Sequence, residues 1–282
     1  MDKFCLVINE LKEEAKKTGE WIKDYLIERG RQADIVYDST DERLKKAECA
    51  IVLGGDGTIL LAAESIKEYD IPILGINLGT LGFLAETEPH NIKEALDRLL
   101  NGEYSIESRM MLEAAISDEC GKETGVFYAV NDVVLTRGGL LRPIGVMVFV
   151  NGTMVGEYFG DGIMVSTPTG STGYNISAGG PIVVPKAELM LITPICVHSL
   201  NARTIIVSDS DEVMIKLTYN KRVLDEEAVL TMDGSRAVIM HEEETVLIKK
   251  AKFSTKVIKF EDGDGSFFEI LRTKLGYVKR GK

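Results

Sequence analysis

The apolar run Cys49–Leu53 runs without a spacer into Gly54-Gly55-Asp56-Gly57-Thr58, and a helix-like stretch, ILLAA, follows at once. Glycines permit the tight backbone approach that a strand needs to turn directly into a helix. The flanking segments repeat the alternation. Strand-like runs stand at Phe4–Asn9, Ala33–Tyr37, Cys49–Leu53 and Pro72–Asn77. A mostly polar helix is expected over 10–30, with Trp21, Ile22, Tyr25 and Leu26 at helical spacing and Gly30 as its stop. A second helix starts near Gly57, and a third over His90–Leu100 closes at Asn101-Gly102. This order predicts a parallel sheet with helices on its faces. In such sheets ligands bind beyond the carboxyl ends of strands. The loops GGDGT and NLGTLGF, Asn77–Phe83, both fall there.

From about Tyr104 the texture changes to short β-rich runs. VMVFVNGTMVGEYF reads as a hairpin around Asn151-Gly152, a strong two-residue turn signal. RTIIVS, EVMIKLTY, AVLTMDGSRAVIM, ETVLIKKA and STKVIKF continue in the same style. EDGDGS, from Glu261, fails as an EF-hand loop, because its sixth and twelfth positions from Asp262 hold Phe267 and Thr273. It reads as a polar link to a helical tail. The expected fold is therefore an α/β domain with a parallel sheet over 1–103, then a mainly antiparallel, β-sandwich-like domain over 104–261. A C-terminal segment, 262–282, is expected to return to the first domain.

Composition removes several classes of function. A net charge of −11 argues against a nucleic-acid partner, which needs clustered Lys and Arg. No apolar run approaches the ~18 residues that span a bilayer, so no membrane partner is expected. The N-terminal apolar run is too short for a signal peptide. Cys5, Cys49, Cys120 and Cys196 show no C-x-x-C spacing, and three lie in apolar runs. They read as buried structural thiols of a reducing cytoplasm.

The common nucleotide motifs, G-x-x-x-x-G-K-[ST] and a G-x-G-x-x-G after a strand, are absent, as is H-E-x-x-H. What remains is glycine-rich and acidic. Asp56 stands at a helix start, where free amides and the helix dipole favour phosphate. It is either the helix N-cap or a carboxylate that faces an attacking hydroxyl or a phosphate-bound magnesium ion. Asn131-Asp132 opens an apolar run; the pair is a simple turn or a set of donors and acceptors for ribose hydroxyls and base edges. Phe159–Pro185 is dense in glycine, Ser and Thr, with Asp161 and with Tyr174 available to stack on a base. Asp233-Gly234 on its own reads as a hairpin turn.

Taken in order, GGDGT, LGTLGFL (Leu78–Leu84), Asn131-Asp132, TPTGSTGYNISAGGP (Thr167–Pro181), HSLNARTIIV (His198–Val207) and Asp233-Gly234 resemble the NAD kinase family. GGDGT alone is also similar to diacylglycerol and sphingosine kinases, whereas the Thr167–Pro181 stretch is far more specific. The resemblance implies phosphoryl transfer from ATP, or from polyphosphate in some members, to the 2′-hydroxyl of the adenosine ribose of NAD, with Mg2+ as cofactor and NADP as product. It implies Asp56 as the group that activates the hydroxyl, and Gly54, Gly55, Gly57 and Thr58 against phosphates. It implies Asn131 and Asp132 at ribose, Thr172, Gly173, Tyr174 and Ser177 around adenine, and Phe83, Asp161 and Asp233 along the NAD site. A homodimer or homotetramer is implied as well. Gly173 stands where many members carry Ala, and Asp132 where some carry Glu. The competing readings are a diacylglycerol-type lipid kinase and a non-catalytic NAD-binding sensor. The acidic chain lacks the basic or apolar surface that a lipid enzyme needs.

Overall fold

A computed structural model describes residues 1–8, 13–79, 82–139, 143–199, 201–218, 228–260 and 267–275. In chain order the elements are β1 (Lys3–Ile8), α1 (Glu13–Glu28), β2 (Gln32–Val36), β3 (Cys49–Leu53), α2 (Asp56–Ile66), β4 (Ile73–Ile76), α3 (Ile92–Asn101), β5 (Ser105–Ser117) and β6 (Glu123–Ala129). There follow β7 (Asp132–Arg137), β8 (Ile144–Val150), β9 (Thr153–Gly160), β10 (Gly162–Ser166), α4 (Tyr174–Ser177), β11 (Leu189–Ile195), β12 (Ile205–Ser208) and β13 (Val213–Thr218). The last are β14 (Ala228–Met232), β15 (Arg236–Met240), β16 (Thr245–Lys259) and α5 (Phe267–Lys274). The chain forms two compact units, Met1–Arg109 with Ser254–Lys282, and Met110–Phe253.

In the first unit β2, β1, β3 and β4 lie side by side and run parallel, and the end of β16 joins β4 in parallel with Val257 opposite Ile73. Their continuous apolar runs fit a sheet covered on both faces; Leu6, Ile51, Leu53 and Ile73 are fully buried. From α1, Ile22, Tyr25 and Leu26 join this core, while Trp21 is exposed, just off the buried stripe. α3 buries Ile92, Ala95, Leu96 and Leu99, and Gly102, at φ 77°, ends it in the left-handed conformation. Gly75 leaves room for helix packing: a Cβ there would stand 2.6 Å from Ile59 Cδ1 of α2 and 3.0 Å from Ala85 Cα. The carboxylate of buried Glu86 accepts from Lys259 Nζ at 2.6 Å and from the Phe260 N–H at 2.7 Å, which secures the end of β16. α5 returns to the same unit: Ile270 is buried, and the Phe267 ring lies 5.9 Å from that of Phe83.

The second unit is antiparallel. One sheet has the order β12-β11-β10-β7-β14-β15; in the other, β13 pairs with both β16 and β8, β8 with β9, and β5 with β6. Alternate residues of both sheets meet in one apolar core that includes Leu112, Val133, Leu135, Val146, Ile163, Ile192, Ile215 and Leu230. Asn151 and Gly152, at φ 50° and 76°, form the expected hairpin turn between β8 and β9. ETVLIKKA and STKVIKF are parts of a single strand, β16. Its lysines are exposed or half-buried, and across Lys249 and Lys250 the buried positions change parity, from Val246 and Ile248 to Ala251, Thr255 and Val257.

The cysteine expectation needs correction. Cys5 and Cys49 are buried, and burial pushes both thiols up to about 12. Cys120 and Cys196 are exposed. Cys196 follows the last residue of β11 at φ 46°, so the backbone turns its side chain out of the apolar run that precedes it. The EDGDGS link, residues 10–12 of the first helical stretch, residues 80–81, residue 200 and the tail from Gly276 lie outside the described residues. Among the described residues no helix is long and apolar enough to cross a membrane.

Candidate functional site

The first group of candidate residues stands where two adjacent parallel strands end. β3 and β4 pair with Leu53 opposite Ile76, and the Gly54 N–H then donates to the Ile76 carbonyl at 2.9 Å. Gly55 is the N-cap of α2, with no side-chain cap, and Asp56 is the first helical residue. The glycines of this loop serve different ends. A Cβ on Gly54 would stand 2.8 Å from Thr58 Cβ, whereas one on Gly55 or Gly57 would meet nothing within 4 Å. Open space beside the first turn of a helix, whose leading amides have no intrahelical partners, suits an approaching phosphate.

Asp56 does not cap its own helix. Its Oδ2 accepts from the Phe83 N–H at 2.9 Å, and its Oδ1 from the Leu84 N–H at 3.2 Å. The loop after β4 thus fixes the orientation of the carboxylate, and each oxygen keeps a further lone-pair direction. Gly82 makes the approach possible: a Cβ there would overlap the Asp56 carboxylate, standing 2.5 Å from Oδ2. Gly82 lies inside LGTLGFL, but sequence reasoning gave it no role of its own. A glycine directly before two loop amides is a weak signal without coordinates. The Phe83 ring has Phe267 on one side and Lys274 Nζ 5.2 Å from its centroid.

The second group lies in the second unit around residues 130–132, which connect β6 to β7. Asp233, at φ 50° in the β14–β15 turn, accepts from the N–H groups of Val130, Asn131 and Asp132 at 2.8, 2.7 and 3.1 Å. On the carbonyl side, Thr167 Oγ1 donates to Val130 O at 2.6 Å, and the Thr167 N–H and Ser166 Oγ donate to Asn131 O at 2.8 and 3.2 Å. The backbone at Asn131 is thus gripped from both sides. Its side chain is not: Asn131 Oδ1 is buried with no hydrogen-bond partner. Asp132 is 5% exposed. Burial, and then the charge of Asp233, raise its carboxyl to about 7. Gly173 faces both side chains; a Cβ there would lie 3.4 Å from Asn131 Nδ2 and 4.0 Å from Asp132 Oδ2.

Tyr174 opens α4 and is 46% exposed. Burial of its hydroxyl, with Cys196, Asp161 and Asp132 as nearby negative groups, holds its phenol above the usual tyrosine range. Asp161 receives Arg137 Nε at 2.8 Å. Thr172 Oγ1 donates to Thr169 O at 3.1 Å, and Ser177 is exposed. The hydroxyls of residues 166–181 therefore divide. Ser166, Thr167, Thr169 and Ser171 are buried, and most hold the backbone; Tyr174 and Ser177 face outward. Asn175, which sequence reasoning passed over, is fully buried. It accepts from Thr193 Oγ1 at 2.7 Å and donates to Pro181 O at 3.0 Å. Beside Cys196 lies a cavity of about 400 Å³ that Thr193, Arg203 and Thr204 help to line. Among the described residues no three His, Cys, Asp or Glu side chains converge as a metal site.

The chain matches the ATP-NAD kinase N-terminal domain over residues 4–104 and the ATP-NAD kinase C-terminal domain over residues 130–260. It is 48% identical to an NAD kinase of Lachnoclostridium phytofermentans, over 98% of this chain and 99% of the relative. It is 39% identical to an NAD kinase of Carboxydothermus hydrogenoformans, over 98% and 96% of the two chains. Among solved structures, an Archaeoglobus fulgidus NAD kinase in complex with ATP superposes with a TM-score of 0.78 at 25% identity, covering 98% of this chain and 100% of the other. Yeast NADH kinase complexed with NADH gives a TM-score of 0.83 at 21% identity over 100% and 90%, a likeness of fold.

Proposed function

The chain belongs to the NAD kinase family, and from that premise we propose that it transfers the terminal phosphoryl group of ATP to the 2′-hydroxyl of the adenosine ribose of NAD, giving NADP. The observation that carries the assignment of roles is the Asp56 carboxylate, held by two loop amides beside an open helix N-terminus. Asp56 takes the proton of the ribose hydroxyl as the oxygen attacks phosphorus. Gly55, Gly57 and the first turn of α2 offer amides to phosphate oxygens, and Gly54 and Thr58 brace the loop. Most of the work in such a transfer is positioning and charge neutralisation.

A magnesium ion commonly binds through substrate phosphates and waters with one or two carboxylates. Asp56, its carboxylate held by two loop amides at the start of α2, is the carboxylate of this chain that would face it. When bound, Mg2+ neutralises charge on the transferring phosphate.

For the acceptor, the buried and unpartnered Asn131 Oδ1 is the natural recipient of a ribose hydroxyl proton. Asp132 stands beside it, Tyr174 offers its ring to adenine, and Thr172, Gly173 and Ser177 form the adjoining wall. Phe83 and Asp161 complete the contacts, while Asp233 works through the backbone of residues 130–132. The same reading has a homodimer or homotetramer at work in the cytoplasm, where the exposed thiols of Cys120 and Cys196 stay reduced.

Asn131→Ala is expected to weaken NAD binding by about tenfold, since it removes one hydrogen bond to the ligand of roughly 1–2 kcal/mol, with a smaller change in kcat. Titration calorimetry with NAD checks it; an unchanged affinity removes Asn131 from the site. The function itself is tested by supplying γ-labelled ATP with NAD in one reaction and diacylglycerol vesicles in another. Label on NAD alone is the expected result, and label on the lipid contradicts the reading.

A further inference from the structure

We propose that Asp132 meets the acceptor as a neutral carboxylic acid, a hydrogen-bond donor as well as an acceptor, and that Asp233 is the positioning residue that keeps it in that form. The inference deepens the reading of the acceptor site and rests on it. Three observations lead to it. First, Asp132 is 5% exposed, and among the described residues no side-chain or backbone donor reaches its carboxyl. A buried carboxylate without a donor is costly, so a lone buried carboxyl keeps its proton. Second, the neighbouring carboxyl of Asp233 is the opposite case. It accepts three backbone N–H groups at 2.7–3.1 Å, one of them from Asp132 itself. Amide donors stabilise a carboxylate, so of the two acids Asp233 carries the charge. Third, Asn131 Oδ1 is buried without a donor beside it.

Among the described residues, those that face Asp132 offer nothing to reverse this. Across from it on β10 stands Ser166, a neutral hydroxyl. From α4 comes the phenol of Tyr174, which is itself held above its usual range. From the β14–β15 turn comes Asp233. Arg137, at the far end of β7, is engaged by Asp161. Among the described residues, then, the charged group that acts on Asp132 is an anion.

The pair left for a ligand is complementary. Asn131 Oδ1 accepts and the Asp132 O–H donates, which together match a ribose hydroxyl or the edge of a base, where donors and acceptors sit side by side. A hydroxyl that gives its proton to Asn131 Oδ1 turns only lone pairs toward Asp132, and a deprotonated Asp132, an acceptor alone, would repel them. NAD binding therefore selects the protonated protein, and affinity falls as the free carboxyl ionises. The carboxyl is raised to about 7. Above that pH the dissociation constant should rise about tenfold per pH unit, and below it affinity should level off.

Titration calorimetry with NAD alone tests this between about pH 6 and about pH 8.5. NAD has no group of its own that titrates there, and leaving out ATP removes its terminal phosphate from the problem. Buffers of different ionisation enthalpy report proton uptake. The expected result is little uptake near pH 6 and approaching one proton per NAD above pH 8, with the fall in affinity. D132N, which mimics the neutral acid, should bind NAD with an affinity that no longer varies with pH and without proton uptake. D233N should move the break to lower pH. If D233N does not fold, the parent and D132N carry the test. A flat affinity without proton uptake in the parent overturns the proposal and leaves the kinase reading standing. A failure to bind NAD at every pH overturns the reading on which it rests.

Discussion

Asp56→Asn is expected to lower kcat by roughly 10²–10⁴-fold, the usual contribution of a general base, while NAD affinity stays within about threefold of the parent. The substitution preserves shape and removes the charge. It also places an amide NH2 against one of the two loop donors, Phe83 N–H or Leu84 N–H, where an oxygen now accepts. That mismatch costs about 1–3 kcal/mol locally and loosens the proposed base. The proposed acceptor determinants are Asn131, Asp132 and Tyr174, so binding is expected to survive. Steady-state kinetics with varied NAD separates the two effects. Full turnover by the variant would remove Asp56 from the chemistry.

Gly82→Ala is the second large effect, and it changes the identity of none of the proposed reactive side chains. An alanine methyl at residue 82 would occupy space now filled by the Asp56 carboxylate. One of the two must move, and either way the Phe83 and Leu84 donors no longer hold the carboxylate as they do. Displacement of a reacting group by about 1 Å can cost roughly 10²-fold in rate. A loss of that size in kcat is expected, with NAD affinity close to the parent. Circular dichroism should show a folded protein, because the loop and not the sheet takes the strain. An alanine variant with parental kcat would mean that the orientation of Asp56 is not what the loop provides.

The origin of this arrangement is only partly visible in the sequence. The strand into GGDGT was legible because two physical signals coincide there: a fully buried parallel strand and a glycine run at a helix start. The hairpins at Asn151-Gly152 and Asp233-Gly234 were legible because a left-handed turn restricts the residues it accepts. The role of Asp233 was not. Its side chain reaches amides about a hundred positions away in sequence, and nothing local marks that contact. Gly82 was hidden for the same reason, as its neighbour is a carboxylate 26 residues earlier. Phe159–Pro185 stood out for its density of hydroxyls, yet Ser166, Thr167 and Ser171 satisfy the protein's own carbonyls. Composition reports how many hydroxyls a segment holds, and only the fold decides which way each one points. Trp21 and Cys196 show the same limit, because apolar spacing identifies a face without fixing its edges.

The most direct test of the whole account is a single turnover assay. Purified protein receives NAD, ATP and Mg2+, and product is read with a dehydrogenase that uses NADP and ignores NAD. The account predicts steady NADP formation that requires both substrates. Bound NAD with no NADP formed would contradict it and leave the chain as a nucleotide-binding protein without the transfer step.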